Sequence, residues 1–294
     1  MKIERILCPV DFSEFSAKAG EYARSLARRY HAKLYFAHVI QSVAAGYPSF
    51  DFPDAMVVVG QSLHAYAQQR LQELVKEATA QGGIEVEAVV LEDHATDALL
   101  AFAQTHVVDL IVMGTHGRHG LDHLLLGSVT EKVLRKASCP VLVVRRPARE
   151  FVKPEDSLVP VRLQKILFCT DFSSHSQHAL HYALSLAKEY NAELTMLHVV
   201  ESVPASTDLT TMTSNVVKQM EALLPPEQRQ VCPLRCRLRI GKPYEEIIRL
   251  GLETGTDLVV LGVRGRNALD LALFGSTTHR VIQQGSSPVL AVHI

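Results

Sequence analysis

Leu7-Cys8-Pro9-Val10-Asp11-Phe12-Ser13 returns later in the chain as Leu167-Phe168-Cys169-Thr170-Asp171-Phe172-Ser173. The offset is 160 residues, and it holds for Ser25-Leu26-Ala27 against Ser185-Leu186-Ala187 and for His38-Val39 against His198-Val199. Towards the end of each copy the match continues at an offset of 148. Asp109-Leu110 pairs with Asp257-Leu258, and Pro140-Val141-Leu142 pairs with Pro288-Val289-Leu290. The second copy is therefore 12 residues shorter in its middle. A repeat of this kind decides the architecture, because each copy is one folding unit. The expected domains are residues 1–146 and 162–294, joined by a linker at 147–161 that carries Pro147, Pro154 and Pro160.

Within a copy, short apolar runs alternate with helical patterns. Ile6–Val10 reads as a buried strand ending at Asp11, and Ser13 is placed to cap the helix that follows. In that helix Tyr22, Ala23, Leu26, Ala27 and Tyr30 share one face. Leu34–Ile40 is a second strand. Gln61–Ala80 is a helix with Leu63, Ala67, Leu71, Leu74 and Ala78 on one stripe, stopped by Gln81-Gly82-Gly83. Ile84–Leu91 is a third strand, Thr96–Thr105 a helix, Leu110–Met113 a fourth strand buried on both faces, Ser128–Lys136 a helix and Val141–Val144 the last strand. Five strands alternating with four helices imply an α/β fold: two tandem doubly wound domains, each on a five-stranded parallel sheet of Rossmann-like type. In such sheets ligands sit beyond the carboxyl ends of the strands where the strand order reverses. That rule points to Pro9–Asp11 and to Met113 with the loop from Gly114 onward.

Composition narrows the classes. The 294 residues suit about two domains of ~150 residues. Lys and Arg total 30 against 31 Asp and Glu, so no general nucleic-acid surface is expected. No run approaches the ~20 apolar residues of a membrane span. The start Met1-Lys2-Ile3-Glu4-Arg5 lacks the apolar core of a signal peptide, so a cytoplasmic location is expected. The five cysteines, Cys8, Cys139, Cys169, Cys232 and Cys236, form no disulfide framework.

The loop after strand four carries the chemistry. It reads Gly114-Thr115-His116-Gly117, nine residues, then Gly127-Ser128, and copy two repeats it as Gly262-Val263-Arg264-Gly265, nine residues, then Gly275-Ser276. Glycine lets backbone approach a ligand. Gly127 and Gly275 each precede a helix, whose free N–H groups and dipole favour an anion. No lysine sits in the loop, so this is not a P-loop. A plainer account remains open: Gly114 and Gly262 end strands, and Ser128-Val129-Thr130-Glu131 forms a capping box worth ~1 kcal/mol. The same gap in both copies, each beside a strand-one aspartate, favours the phosphate cradle. Asp11 and Asp171 would repel phosphates and suit ribose hydroxyls or an adenine amino group. Their plainer role is an Asx turn before Ser13 and Ser173.

This glycine pattern, the strand-one Asp and the closing Pro-Val-Leu strand resemble the universal stress protein family, in its two-domain, ATP-binding form. The likeness covers nearly the whole chain, apart from the linker and segments 43–60 and 201–236. It implies a site in each copy. Asp11 and Asp171 hold the adenosine end, and Val39 and Val199 line the adenine and ribose pocket. Gly114, Gly117, Gly127, Ser128 and Thr130 wrap ribose and phosphates in copy one, with Pro9, Val10, Met113, His116, Arg118 and Val129 beside them. Gly262, Gly265, Gly275, Ser276 and Thr278 do so in copy two, with Cys169, Thr170, Leu261, Arg264, Arg266 and Thr277. The implied ligand is ATP, ADP or AMP with Mg²⁺ as an accompanying ion, although neither loop holds a carboxylate pair for the metal. The implied role is a stress-response sensor or binding module with at most slow ATP hydrolysis. In this family the last strands pair across a dimer. Here Val141–Val144 and Val289–Val292 would pair within one chain, with further dimerisation of chains open.

The copies differ. His116 and Arg118 stand where copy two has Arg264 and Arg266, and two arginines hold phosphate better than one mostly neutral histidine. Tighter binding is expected in copy two. Three rival functions are weighed. Zinc on His116, His119 and His123 lacks a completing ligand, and copy two has Arg264, Asn267 and Leu271 there. A true ATP-consuming enzyme would need a positioned nucleophile, and no catalytic residues are assigned. A scaffold binding an apolar ligand would use segment 43–60, which is apolar enough for a lid.

Overall fold

The computed structural model describes residues 2–41, 53–80, 82–115, 126–145, 162–224, 233–263 and 276–293. The linker 147–161 lies outside them, as does most of segment 43–60.

Half one runs β1 (Arg5–Pro9), α1 (Glu14–Tyr30), β2 (Lys33–Ile40), α2 (Pro53–Ala80), β3 (Val86–Glu92), α3 (Ala95–Thr105), β4 (Leu110–Gly114), α4 (Ser128–Lys136) and β5 (Val141–Val144). Half two repeats the order with β6 (Lys165–Cys169), α5 (Ser174–Tyr190), β7 (Glu193–Val200), α6 (Leu209–Ala222), β8 (Leu234–Ile240), α7 (Pro243–Thr254), β9 (Leu258–Gly262), α8 (Ser276–Gln284) and β10 (Val289–Val292). Each half is a parallel sheet wound on both sides. The two meet in one ten-stranded sheet of order β3-β2-β1-β4-β5-β10-β9-β6-β7-β8.

Local sequence explains the elements. Ser13 and Ser173 cap α1 and α5, each accepting from the N–H three residues on at 3.3 Å. The same helices end on His31 and Asn191 in the left-handed region. Asp109 takes the N–H groups of Glu4 and Arg5 at 2.8 Å each, and Asp257 those of Gln164 and Lys165 at 2.9 Å each. The repeated Asp-Leu pair thus fastens the start of β4 to the start of β1, and β9 to β6. Strand residues alternate between two cores. Ile6, Cys8, Val112 and Leu142 meet α1 and α2, while Leu7, Ile111, Met113 and Val141 meet α3 and α4. Both cores continue into half two under α5–α6 and α7–α8. Each fully buried Leu or Ile contributes about 1.5–3 kcal/mol.

One expectation is revised. Leu63 does not join the buried stripe of α2 but is 41% exposed, as are its neighbours Val58, Val59 and Tyr66 in good part. The helix is 28 residues long, and only its later turns, at Ala67, Leu71 and Ala78, are buried. The last strands pair within the chain as expected: Val289, Leu290 and Ala291 lie antiparallel to Val143, Leu142 and Val141, which puts β5 and β10 at the centre. This pairing within the chain turns the halves head to tail. The carboxyl ends of their parallel strands therefore face opposite ends of the sheet.

Candidate functional site

The strand order reverses between β1 and β4 in half one, and between β6 and β9 in half two. Pro9, Val10 and Asp11 leave β1 at that point, beside Met113, Gly114 and Thr115 leaving β4. The N–H of Val10 bonds the Ala37 carbonyl at 2.8 Å, which draws the end of β2, and with it half-buried Val39, to the same corner. Cys169, Thr170 and Asp171 meet Leu261 and Gly262 in the same way, with Thr170 N–H on Leu197 at 2.9 Å.

The loop in half one leaves and returns at one place. Gly127 donates its N–H to the Thr115 carbonyl at 2.8 Å, and the buried Thr130 hydroxyl donates to the Gly114 carbonyl at 2.9 Å. Together they hold the start of α4 against the end of β4. The capping box does not form. Gly127, not Ser128, is the cap residue, and α4 has no side-chain cap. Glu131 pairs instead with Arg135, four residues on. The cap stands one residue earlier because Thr130 occupies the third helical position with its hydroxyl turned to β4. Ser128 is exposed on the first turn, Val129 is half-buried, and the first N–H groups of the helix keep their affinity for an anion. In half two Ser276 opens α8 exposed, Thr277 is half-buried and Thr278 is buried like Thr130.

Gly114 and Gly262 have a packing reason to be glycine. A Cβ on Gly114 would stand 2.8 Å from the Phe15 carbonyl oxygen, and one on Gly262 would stand 2.4 Å from that of His175. The first turns of α1 and α5 need the space, so these two positions belong to helix–strand contact.

Asp11 accepts from Ser13, at 3.1 Å from its N–H and 2.6 Å from its hydroxyl, through one carboxylate oxygen. Asp171 does the same with Ser173 at 3.0 and 2.5 Å. The Asx turn is therefore present in both copies. A carboxylate has about four acceptor positions, so the turn does not exhaust it. Between Asp and Ser, Phe12 and Phe172 stand at φ 64° and 62°, a costly conformation for a bulky residue that is concentrated at functional sites. Phe12 stacks on His38 with ring centroids 4.5 Å apart, and Phe172 lies the same distance from His198. His38 Nδ1 bonds the Val10 carbonyl at 2.7 Å, and His198 Nδ1 that of Thr170 at 2.8 Å. These four aromatic residues frame both sites and were not among the expected site residues. Their signal was the repeat itself, since Phe12–Phe172 and His38–His198 both lie on it.

The corner is not a thiol site. Burial pushes the Cys169 thiol far above its ordinary value, and it pushes Cys8 up to about 12. His116, Gly117, Arg118, Arg264, Gly265, Arg266 and Gly275 lie outside the described residues. So do the zinc candidates His119 and His123, and Cys232. Among the described residues no group of three His, Cys, Asp or Glu is placed to hold a metal, and no helix is long and apolar enough to cross a membrane.

Comparison with known proteins follows this geometry. The sequence model of the universal stress protein family matches twice, over residues 2–145 and 162–293. A universal stress protein of Mycolicibacterium smegmatis is 25% identical over 292 residues, covering 98% of this chain and 96% of that protein. Universal stress protein MJ0531 of Methanocaldococcus jannaschii is 34% identical over 148 residues, covering 50% of this chain and 85% of that protein. The crystal structure of a universal stress protein from Archaeoglobus fulgidus superposes with a TM-score of 0.71 at 22% identity, covering 100% of this chain and 99% of that one, a likeness of fold. The doubled matches agree with the doubled motif and the doubled sheet, and the chain belongs to the universal stress protein family, with two copies of its domain.

Proposed function

We propose that each half binds one adenine nucleotide, ATP, ADP or AMP, and that the protein works as a nucleotide-dependent stress sensor in the cytoplasm rather than as a dedicated enzyme. One observation carries this. The start of α4 has no side-chain cap, is tied to the end of β4, and stands across the switch point from Asp11. A bare helix start suits phosphates, and a carboxylate suits the ribose and base end of the same molecule.

Gly127, Ser128 and Gly117 would hold phosphates in half one, with His116 and Arg118. Gly275, Ser276, Gly265, Arg264 and Arg266 would do so in half two. Val39 and Val199 would face the base and ribose. Thr130 and Thr278 are both buried, and the Thr130 hydroxyl ties the start of α4 to Gly114. Mg²⁺ would be held chiefly by the phosphates, because the loops bring it no carboxylate pair. Residues 1–146 and 162–294 would act as the two binding units.

The test is to purify the protein without added nucleotide, denature it and weigh what is released. Adenine nucleotide near two per chain supports two working sites. A count near one sends the question to Asp11→Ala and Asp171→Ala. No released nucleotide, together with no binding of added ATP, overturns the reading.

A further inference from the structure

A second cavity lies on the seam between the halves, away from both switch points. It opens between the last turns of α1 and α5, on the sheet face those helices cover. Leu26, Tyr30 and Leu142 line it together with their repeat partners Leu186, Tyr190 and Leu290. Its empty space, open mouth and adjoining solvent included, is about 450 Å³, and the enclosed part is much smaller. Leu142 and Leu290 are themselves paired across β5 and β10. The cavity therefore sits on the pseudo-twofold axis and draws on both halves, with Asp109 and Pro140 lining it from half one alone.

Its lining is mostly apolar, and its polar members are Tyr30, Tyr190 and Asp109, whose carboxylate already accepts the N–H groups of Glu4 and Arg5. Both tyrosine hydroxyl oxygens are buried and lie close to each other, and neither makes a hydrogen bond of good geometry among the described residues. A buried hydroxyl without a well-aligned partner is destabilising, so a guest that completes its hydrogen bonds is favoured. Burial raises the Tyr30 phenol well above its ordinary value, and the nearby Tyr190 hydroxyl and Glu189 carboxylate add to the rise. Burial also raises Tyr190. Both stay protonated, so each can donate one hydrogen bond and accept others. The charges nearby cancel: Arg29 lies 3.7 Å from Glu189 across the seam and covers the Tyr190 ring at 5.3 Å.

We propose that this seam cavity binds a small uncharged molecule with an apolar body and a single hydroxyl or carbonyl oxygen, held at that oxygen by Tyr30 and Tyr190. An ion is disfavoured because the lining is mostly leucine and its one carboxylate, Asp109, is already engaged by the N–H groups of Glu4 and Arg5. A wholly apolar guest would leave both hydroxyls unsatisfied. A hydroxyl that donates to one tyrosine and accepts from the other satisfies the pair. Because the guest touches both halves, it stabilises the seam by mass action.

Phenol is the probe, titrated into the intact protein by ligand-observed NMR and calorimetry, with ATP present at saturation to keep the nucleotide sites apart. The expected result is saturable binding of one phenol per chain. Tyr30→Phe and Tyr190→Phe should each weaken it about threefold or more, and the double variant about tenfold, consistent with ~0.5–1.5 kcal/mol per hydrogen bond. Circular dichroism checks that each variant is folded, and the single variants decide the matter if the double does not fold. Non-saturable binding, binding that ATP abolishes, or unchanged affinity in folded variants overturns the proposal. A folded double variant that is more stable than wild type and binds no phenol in either form overturns it too, and marks the hydroxyls as stranded.

Discussion

Half one and half two share every strand and helix in order, yet their sites are finished differently. In half one α2 is 28 residues long and brings Tyr66 edge-on to Phe12 at 6.0 Å, with Arg70 placed 5.7 Å from the same ring. In half two α6 has 14 residues. Asp11 is half-buried, whereas Asp171 is exposed. Val10 is replaced by Thr170, whose hydroxyl accepts the Phe172 N–H at 3.0 Å and meets the Ser176 hydroxyl at 3.1 Å. Half two thus holds its strained phenylalanine with a hydrogen bond, and half one holds its own with aromatic cover. Duplication has kept the frame and let the finish diverge, and one site is left more open than the other.

The packing of the two halves gives the largest contrast to test. Gly262→Ala should cost about 3 kcal/mol or more and Gly114→Ala about 2 kcal/mol, because the obstructing atoms are backbone and the approach is closer in half two. Urea unfolding of the intact chain measures both, and an equal cost would erase the difference. The seam is finished unequally too. His293 of half two is buried and donates through Nε2 to the Leu134 carbonyl in α4, while Arg145 of half one donates to the Gln283 and Gly285 carbonyls at the end of α8. His293→Ala should cost about 2 kcal/mol and Arg145→Ala about 1 kcal/mol, since only the first removes a buried side chain. The reverse order in thermal melts would break that account.

Nucleotide affinity comes next. Asp11→Ala and Asp171→Ala should each lower affinity about tenfold at their own site alone, as expected for hydrogen bonds to a charged group. Calorimetry should also find the site kept by Asp11→Ala to be the tighter one, because Arg264 and Arg266 belong to half two. Equal affinities would sink that ranking. The smallest effect is Tyr66→Ala, which should cost about 0.5–1 kcal/mol of stability through its contact with Phe12. A larger loss would mean that α2 depends on this contact for its place.

Most of the frame was legible in the sequence. The repeat, the strand ends and the start of α4 follow from period and punctuation, which act over a few residues. What stayed hidden depends on contacts distant in sequence. Ser128 looked like a cap because Ser128 and Glu131 stand at capping-box spacing, but α4 starts from Gly127 and Glu131 pairs with Arg135. The packing need for glycine at 114 was hidden because the close approach of Phe15 comes only with the fold. His38 and Phe12 were visible as repeated letters and could not be joined until β1 and β2 were paired. Leu63 kept helical spacing beyond the turns of α2 that are buried.

The central pairing of β5 and β10 also has a history in time. Residues 141–144 leave the ribosome with half one, but their partners, residues 289–291, are made well after them. At about 5–20 residues per second, the roughly 150 residues between take on the order of ten to thirty seconds. Throughout that wait Val141-Leu142-Val143-Val144 is an open, wholly apolar strand edge on a half that is otherwise ready to close. Neighbouring nascent chains on one message would present the same edge to each other, and it is self-complementary. Carrying the second half on the same chain gives each edge a partner of its own, so β5 is met by the β10 made behind it rather than by a neighbour's edge.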